Sequence, residues 1–332
     1  MVNIRRLPLF FIVGVLFVLA CNKQEEKDVI PKVYNLKPVQ ITDTKAVLRA
    51  NCNICKNKKT TLEFIWKKKS DSTLKKITLY PHDNINSYRL EDLEEDTEYI
   101  VNALLVIDSK DTLFGKDICF FTHGTMNDID GNKYLTMRYD DKVWMTDNLR
   151  VTRYSDGTPL EARTGGMDMF EDGPVCYHNL NHTTYLITPN YGLLYNWAAA
   201  VRVEDCQTKN VFELRNVQGI CPNGWHIPSA NEWVKLFSLF RGFEMKTQNW
   251  GMDRMNTFNN YSQFSAEPAG FFHYDGNIDD TFNMVGTGAF FWSSSQYDDW
   301  TSVRYGLLSQ FPDYNSHIML KMVGYSVRCV KD

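Results

Sequence analysis

The sequence predicts an all-β sandwich followed by an α+β domain, with a short apolar segment in front of both. Three observations support this: an apolar run near the N-terminus, alternating apolar and polar residues before Gly124, and helical periodicity only after it. The composition also changes at Gly124, after which Gly, Trp, Asn and Tyr become more frequent. The predicted segments are 1–20 (signal peptide), 21–29 (tether), 30–123 (β-sandwich) and 124–332 (α+β domain).

The N-terminal segment resembles a bacterial lipoprotein signal peptide. Arg5 and Arg6 precede an apolar run at residues 7–20, which is shorter than the ~20 residues needed to cross a bilayer. The run ends in VLAC at residues 18–21, which is similar to a lipobox. The resemblance implies that Cys21 carries diacylglycerol and an N-acyl chain, which would anchor the mature chain to a membrane. A plain secretory signal and a single-pass anchor are the alternatives.

The segment after Cys21 is predicted to be a flexible tether. Residues 22–28, NKQEEKD, are polar and charged and have no apolar face to pack. The acidic pair Glu25 and Glu26 resembles the surface-export signal of Bacteroidetes lipoproteins. The alternative is a solvated linker that carries no export signal. We therefore expect an outer-membrane location, lipid-anchored and facing the cell exterior.

The charge of the chain argues against a nucleic-acid partner. It has 36 Lys and Arg against 40 Asp and Glu, a net charge of −4, and no run of more than three basic residues. Aromatic residues make up 14% of the chain, enough for a core and for a surface on which sugars could stack.

The cysteines indicate export but no metal site. Lipidation of Cys21 would leave seven of the 8 cysteines, an odd number, so at least one thiol stays free or pairs with another chain. The C-x-x-C pair Cys52 and Cys55 could serve metal or redox chemistry, a local structural role, or a bridge to Cys119. Zinc would need further ligands, and only His82 is near in sequence.

The sandwich is predicted from strands at residues 46–50, 62–66 and 99–105, with residues 120–122 closing it. The segment before the third strand, residues 90–99, resembles the L-x-x-L-x-x-x-T-x-Y signature of fibronectin type III domains, with Glu95 in place of the usual proline. That resemblance implies a corner in which the Tyr99 hydroxyl bonds to upstream backbone, in a module that usually serves as a spacer.

The second half begins with a turn and a hairpin. The string DIDGN at residues 128–132 leads into a strand at 134–138, which pairs with 143–145. An EF-hand would need Gly and Glu where Lys133 and Tyr139 stand, so we interpret the string as a turn stabilised by Asx side chains.

Two amphipathic helices are predicted in this half. The first lies within residues 191–201, and the second begins at Ser229 with Glu232 completing a capping box. The predicted buried positions are Leu194, Trp197, Ala198 and Val201 in the first, and Trp233, Leu236, Phe237 and Phe240 in the second.

Six ordered motifs over residues 124–332 together resemble the Fibrobacter succinogenes major paralogous domain. They are DIDGN at 128–132, WMTDNL at 144–149, YGLLYNW at 191–197, CPNGWHIPS with EW at 221–233, FWSSS at 291–295 and SVRC at 326–329. The resemblance implies a C-type-lectin-like fold, in extracellular lipoproteins that often follow fibronectin-like spacers. It also implies a disulfide between Cys221 and Cys329, and we add Cys176 with Cys206 as a further pairing.

The related fold of formylglycine-generating enzymes makes an oxidase an alternative. Those enzymes use a reactive cysteine pair in the C-terminal half, where this chain has only Cys221 and Cys329 after Cys206, and both look structural. The histidines lack H-x-E spacing. We therefore expect no catalytic residue, no metal and no cofactor.

Binding of a glycan or a protein ligand is the preferred interpretation. Calcium-dependent lectins pair E-P-N or Q-P-D with W-N-D, whereas residues 267–269 are EPA and residues 292–294 are WSS, so each lacks one calcium ligand. Two loops, at residues 271–285 and 296–302, combine aromatic, carboxylate and amide side chains. The candidate ligand-binding residues are Tyr274, Asp275, Asn277, Asp279, Asp280, Tyr297, Asp298, Asp299 and Trp300. A structural role in an outer-membrane surface assembly is the alternative.

Overall fold

The computed structural model describes residues 30–56, 59–163, 173–177, 191–206, 216–248, 250, 258–273 and 282–332. The predicted signal peptide, Cys21 and the tether lie outside these residues. Among the described residues, none of the helices has both the length and the apolar content that a bilayer crossing requires.

The first half of the described chain is built only from strands. They are β1 (Val33–Val39), β2 (Ala46–Cys52), β3 (Thr60–Lys68), β4 (Lys75–Leu79), β5 (Ile85–Leu90), β6 (Glu98–Ile107), β7 (Asp111–Phe114) and β8 (Ile118–Phe121). One sheet has the order β1-β2-β5, and the other has the order β4-β3-β6-β7 with β8 paired to β6. The strands predicted at 46–50, 62–66 and 99–105 lie within β2, β3 and β6.

One hydrophobic cluster lies between these two sheets. Alternate residues of each strand point into it, among them Leu48 from β2, Phe64 from β3 and Leu105 from β6. At the start of β6 the Glu94 N–H donates to the Tyr99 hydroxyl oxygen at 2.9 Å, which is the corner that the sequence predicts.

The second half is also made mostly of strands. They are β9 (Gly124–Asn127), β10 (Lys133–Tyr139), β11 (Lys142–Met145), β12 (Glu161–Arg163), β13 (Val175–Tyr177), β14 (Leu194–Tyr195), β15 (Trp225–His226), β16 (Phe271–Phe272), β17 (Phe282–Asn283), β18 (Gly288–Gln296), β19 (Thr301–Leu308), β20 (Tyr314–Leu320) and β21 (Val330–Lys331). The sheets are β15-β21-β11-β10-β9, β12-β13-β14, β16-β17 and β18-β19-β20. The predicted hairpin is formed by β10 and β11, with Thr136 opposite Met145.

The predicted α+β, C-type-lectin-like architecture of the second half is wrong. Within the described residues the helices are α1 (Trp197–Val201), α2 (Ala230–Leu239) and α3 (Gly242–Met245), which have 5, 10 and 4 residues. Around them lie many small sheets rather than one sheet packed against long helices.

The apolar pattern at residues 191–201 was the misleading signal. Leu194 and Tyr195 form the strand β14 against β13, and the helix starts only after the cap Asn196. It then ends at Arg202, which adopts a left-handed conformation with φ 62°. A short apolar run fits a buried strand as well as a helix, so periodicity alone could not separate the two.

The two largest buried clusters of the second half are rich in aromatic residues. Trp233 on α2 stacks on Phe237, Phe291 and Tyr305, with ring centroids 5.2 to 5.8 Å apart. The other cluster surrounds Trp197. The predicted capping box of α2 is present, because Ser229 and Glu232 exchange hydrogen bonds between side chain and backbone.

The described residues contain two disulfides. Cys221 and Cys329 are joined, with their Cα atoms 5.9 Å apart, as the family resemblance implies. Cys52 and Cys55 form a local bridge, so Cys55 is not bonded to an exposed, free Cys119.

The predicted pairing of Cys176 with Cys206 is wrong, since Cys176 carries a free thiol. The Cys176 side chain is buried in the cluster around Trp197, and this burial raises the pKa of its thiol to about 12. It is therefore an inert core thiol.

Candidate functional site

The loop between β18 and β19 carries four of the nine predicted ligand-binding residues: Tyr297, Asp298, Asp299 and Trp300. The other five, Tyr274, Asp275, Asn277, Asp279 and Asp280, lie outside the described residues. The geometry of the candidate site is therefore the geometry of this hairpin loop and of the strand beside it.

The Asp298 side chain shapes the turn of the hairpin. Its Oδ1 accepts hydrogen bonds from the backbone N–H groups of Trp300, at 2.9 Å, and Thr301, at 2.7 Å. Gln296 Nε2 donates to the Asp298 carbonyl at 2.8 Å. Hydrogen bonds from Thr301 and Trp300 lower the pKa of the Asp298 carboxyl, so it stays ionised in the turn. This carboxylate holds backbone rather than presenting itself to a ligand.

A buried lysine fixes the other side of the loop. Lys321 is fully buried; its Nζ donates to the Asp299 carbonyl at 2.9 Å and lies 4.6 Å from the centroid of the Trp197 ring. Its backbone N–H donates to the Trp300 carbonyl at 3.0 Å. Burial lowers the pKa of Lys321, and its contacts with the carbonyl and the ring offset the cost of burying the ammonium group. The loop is thus attached to the core of the second half.

Two aromatic side chains stand on this fixed loop. Tyr297 is 57% exposed and Trp300 is 55% exposed, and the other tryptophans of the chain are buried or half-buried. Because the backbone beneath them is already ordered, a ligand that contacts their rings would order little beyond those two side chains.

The edge strand β20 lies directly beside the loop. Leu320 of β20 pairs with Thr301 of β19. The side chains of Ile318 and Leu320 are 47% and 42% exposed. Sequence reasoning missed this strand as a surface, although its sequence YNSHIML has no Lys, Asp, Glu or Pro of the kind that protects edge strands. In the described part of the sheet, β20 has a partner on one side only.

The positions that correspond to the calcium motifs lie inside the fold. Glu267 is buried, its pKa is raised by burial, and its Oε2 accepts a hydrogen bond from Thr247 Oγ1 at 3.1 Å. Ser293 and Ser294 are buried within β18. Throughout the part of the chain that the structure describes, no group of three or more His, Cys, Asp or Glu side chains could hold a metal ion.

Comparison with known proteins gives one family match. The family described as the Fibrobacter succinogenes major domain matches residues 137–331. No curated protein matches the chain.

Several solved structures match short stretches of this chain. The sensor domain of the anti-sigma factor RsgI4 of Pseudobacteroides cellulosolvens is 15% identical; the match covers 28% of this chain and 89% of that one, with a TM-score of 0.23. A myokine is 23% identical over 27% of this chain and 94% of its own, also with a TM-score of 0.23. Scores this low carry no argument about fold or function.

Proposed function

This chain belongs to the Fibrobacter succinogenes major domain family, and on that premise we propose that it binds a glycan or protein ligand without catalysing a reaction. The observation that carries the proposal is the pair of exposed rings, Tyr297 and Trp300, on a turn held by Asp298 and Lys321. Aromatic faces suit the apolar C–H faces of sugars, and tyrosine and tryptophan are also frequent anchors in protein interfaces.

The proposed location is the outer membrane, on the outward face, through lipid on Cys21. The support for it is the VLAC sequence at residues 18–21 and the acidic pair that follows. We propose that residues 30–123 form a fibronectin type III-like spacer, supported by their two sheets and by the Tyr99 corner. In this arrangement the spacer would hold the binding loop away from the membrane surface.

A glycan array probed with the full-length protein tests the binding function. We expect saturable binding to an isolated class of glycans, weakened at least tenfold by Trp300→Ala and by Tyr297→Ala, because each ring supplies stacking area. Tyr80→Ala is the matched control, since Tyr80 is 76% exposed but lies in the first half of the chain. Equal losses in all three variants, or binding that none of them changes, would contradict a role for this loop.

A structural role in an outer-membrane surface assembly is the second candidate, and β20 is the observation that favours it. An unprotected edge strand with exposed apolar side chains can add a strand from another chain. We would expect a stoichiometric complex that Ile318→Lys disrupts, while Ile85→Lys, on the exposed strand β5, leaves it intact. Recovery of the protein without any stoichiometric partner would contradict this role.

The proposed absence of catalysis can be tested directly. The only cysteines after Cys206 are bonded to each other and buried, so neither is available as a thiolate. Turnover of a cysteine- or sulfate-containing substrate that is lost in a folded Cys221→Ser variant would establish the oxidase alternative.

A further inference from the structure

A cleft of about 310 Å³ opens on a part of the second half that the aromatic loop does not reach. Its walls come from three segments: residues 127–129 at the DIDGN turn, residues 151–155, and residues 220–223 beside the Cys221–Cys329 disulfide. Ile129 and Pro222 give the cleft an apolar side, and Val151 and Ile220, which also line it, are buried. Its volume is at the lower end of the range for small-molecule sites, so it suits a compact ligand.

Arg153 lies on the rim of the cleft, and an ion pair holds one side of its guanidinium. Arg153 Nε is 2.5 Å from Asp130 Oδ1. The other oxygen of Asp130 accepts from the Thr152 N–H at 2.6 Å and from Thr152 Oγ1 at 2.9 Å, which fixes the carboxylate. A guanidinium has donors on two further nitrogens, and among the described residues these make no hydrogen bond. Asp130 therefore orients Arg153 and leaves its terminal N–H groups available.

The Gln218 side chain determines which atoms of Ser155 and Asn223 remain able to donate hydrogen bonds. Gln218 Nε2 lies 2.8 Å from Ser155 Oγ, 2.9 Å from Asn223 Oδ1 and 3.2 Å from the Cys221 carbonyl. A carbonyl can only accept, so the nitrogen of Gln218 faces all three atoms, and its two N–H groups donate to them with one N–H shared between two acceptors. The Ser155 hydroxyl proton and the Asn223 Nδ2 protons are then left to donate to something else.

The carboxylate in the cleft wall already accepts three hydrogen bonds from the protein. Asp128 Oδ1 accepts from the Asn132 N–H at 2.9 Å, and its Oδ2 accepts from Asn132 Nδ2 at 2.9 Å and from the Tyr134 hydroxyl at 2.6 Å. Asp128 is buried behind these donors. The groups still free at the rim, on Arg153, Ser155 and Asn223, can all donate.

We infer that this cleft binds an acidic sugar of the uronic-acid type, with its carboxylate on Arg153, Ser155 and Asn223 and its C–H face on the apolar side. A guanidinium and two further donors match the two oxygens of a carboxylate, which can accept several hydrogen bonds. The apolar side chains match the sugar ring. This inference does not rest on ligand binding by Tyr297 and Trp300.

The test measures binding of glucuronate to the full-length protein by calorimetry. Methyl glucoside, which lacks the carboxylate, and acetate, which lacks the sugar ring, are the comparison probes. We expect glucuronate to bind at least tenfold more tightly than either, because only glucuronate offers both a carboxylate and a sugar face. Acetate binding as tight as glucuronate binding would overturn the inference, because the apolar side would then contribute nothing. Absence of glucuronate binding at millimolar concentration would overturn it too.

Two variants locate the ligand. Asn223→Asp replaces a donor with a like charge while an oxygen still accepts from Gln218, and Arg153→Gln removes the guanidinium; each should weaken glucuronate binding at least tenfold. Arg202→Gln is the matched control, because Arg202 also pairs with a carboxylate, Asp156, but lies outside the cleft. Thermal unfolding would identify a variant that lost binding by misfolding. A folded Asn223→Asp variant with unchanged affinity, or loss of binding only in Trp300→Ala, would overturn the inference.

Discussion

The guanidinium of Arg328 lies 4.1 Å from the centroid of the Phe264 ring and also donates a hydrogen bond to the Phe264 carbonyl. Its other nitrogens donate to Asn148 Oδ1 at 2.9 Å and to the Ser265 carbonyl at 2.8 Å. Arg328 is fully buried, and burial lowers its pKa to about 10, which still leaves it charged at neutral pH. One side chain thus joins the last segment of the chain to two loops.

Arg328→Met should lower the free energy of unfolding by about 3 kcal/mol or more, because three buried acceptors lose their donor at once. Urea denaturation measures the change. Arg241→Met is the matched control: Arg241 forms an exposed pair with Asp313, so its loss should cost less than about 1 kcal/mol. Equal effects of the two substitutions would contradict a structural role for Arg328.

His226 makes the stability of the second half depend on pH. Its Nδ1 lies 2.6 Å from Asp332 Oδ1, and its Nε2 lies 3.0 Å from Glu232 Oε1. Burial alone would lower the pKa of His226, but the hydrogen bonds to Glu232 and Asp332 raise it above its ordinary value of 6.5. Because the folded pKa is raised, this stabilisation is complete below pH 6.5 and is lost as the pH rises through the folded pKa.

Glu232 gives the opposite dependence in acid. Burial would raise its pKa, but hydrogen bonds from His226 and Ser229 lower it to about 2, so its stabilisation is lost as the pH falls from 4.5 towards 2. Both contributions are complete between pH 4.5 and 6.5. Urea midpoints measured from pH 5 to pH 9 should therefore fall on the alkaline side, and His226→Gln should reduce that fall. An identical pH profile in the variant would contradict this assignment.

The two disulfides should differ in what they contribute to stability. Cys221 and Cys329 are 108 residues apart in sequence, and Cys52 and Cys55 are 3 apart. On the chain-entropy argument, replacing the first pair by alanine should cost about 4–5 kcal/mol and replacing the second about 2 kcal/mol. Denaturation of the two double variants under oxidising conditions measures the difference. A larger loss from the short bridge would contradict the entropic explanation.

The substitution Asp298→Ala tests whether the Asp298 carboxylate stabilises the turn that carries Tyr297 and Trp300. Two backbone N–H groups lose their acceptor, so we expect a lower melting temperature. Asp299→Ala is the matched control, because only the Asp299 carbonyl, which alanine retains, holds Lys321. Thermal unfolding compares the two, and an equal loss of stability would contradict the assigned role of Asp298.

Local patterns were sufficient for part of the fold. Alternating residues located β2, β3 and β6, and the Ser229 and Glu232 pair located the start of α2, because each signal depends on neighbours in sequence. The α+β prediction failed where tertiary pairing decided the outcome. Leu194 and Tyr195 are apolar at helical spacing, yet they pair with β13.

From the sequence, only the residue types of the candidate site could be predicted, and not their arrangement. The aromatic residues of the β18–β19 loop stood out in the sequence, but nothing local indicated that the Asp298 carboxylate would bind its own backbone. The cleft was missed for a related reason. Arg153 and Ser155 come from one segment and Asn223 from another, and their orientation depends on side-chain contacts of Asp130 and Gln218 that no local pattern indicates.

The bond between Cys221 and Cys329 also turns the C-terminal third of the chain into a covalent ring. Helix α2, the aromatic loop and β20 all lie within that ring. A protease that cuts the backbone once, anywhere inside it, therefore releases no fragment, and the cut becomes visible on a gel only after reduction. After such a cut, both ends of the broken chain stay covalently joined through the disulfide.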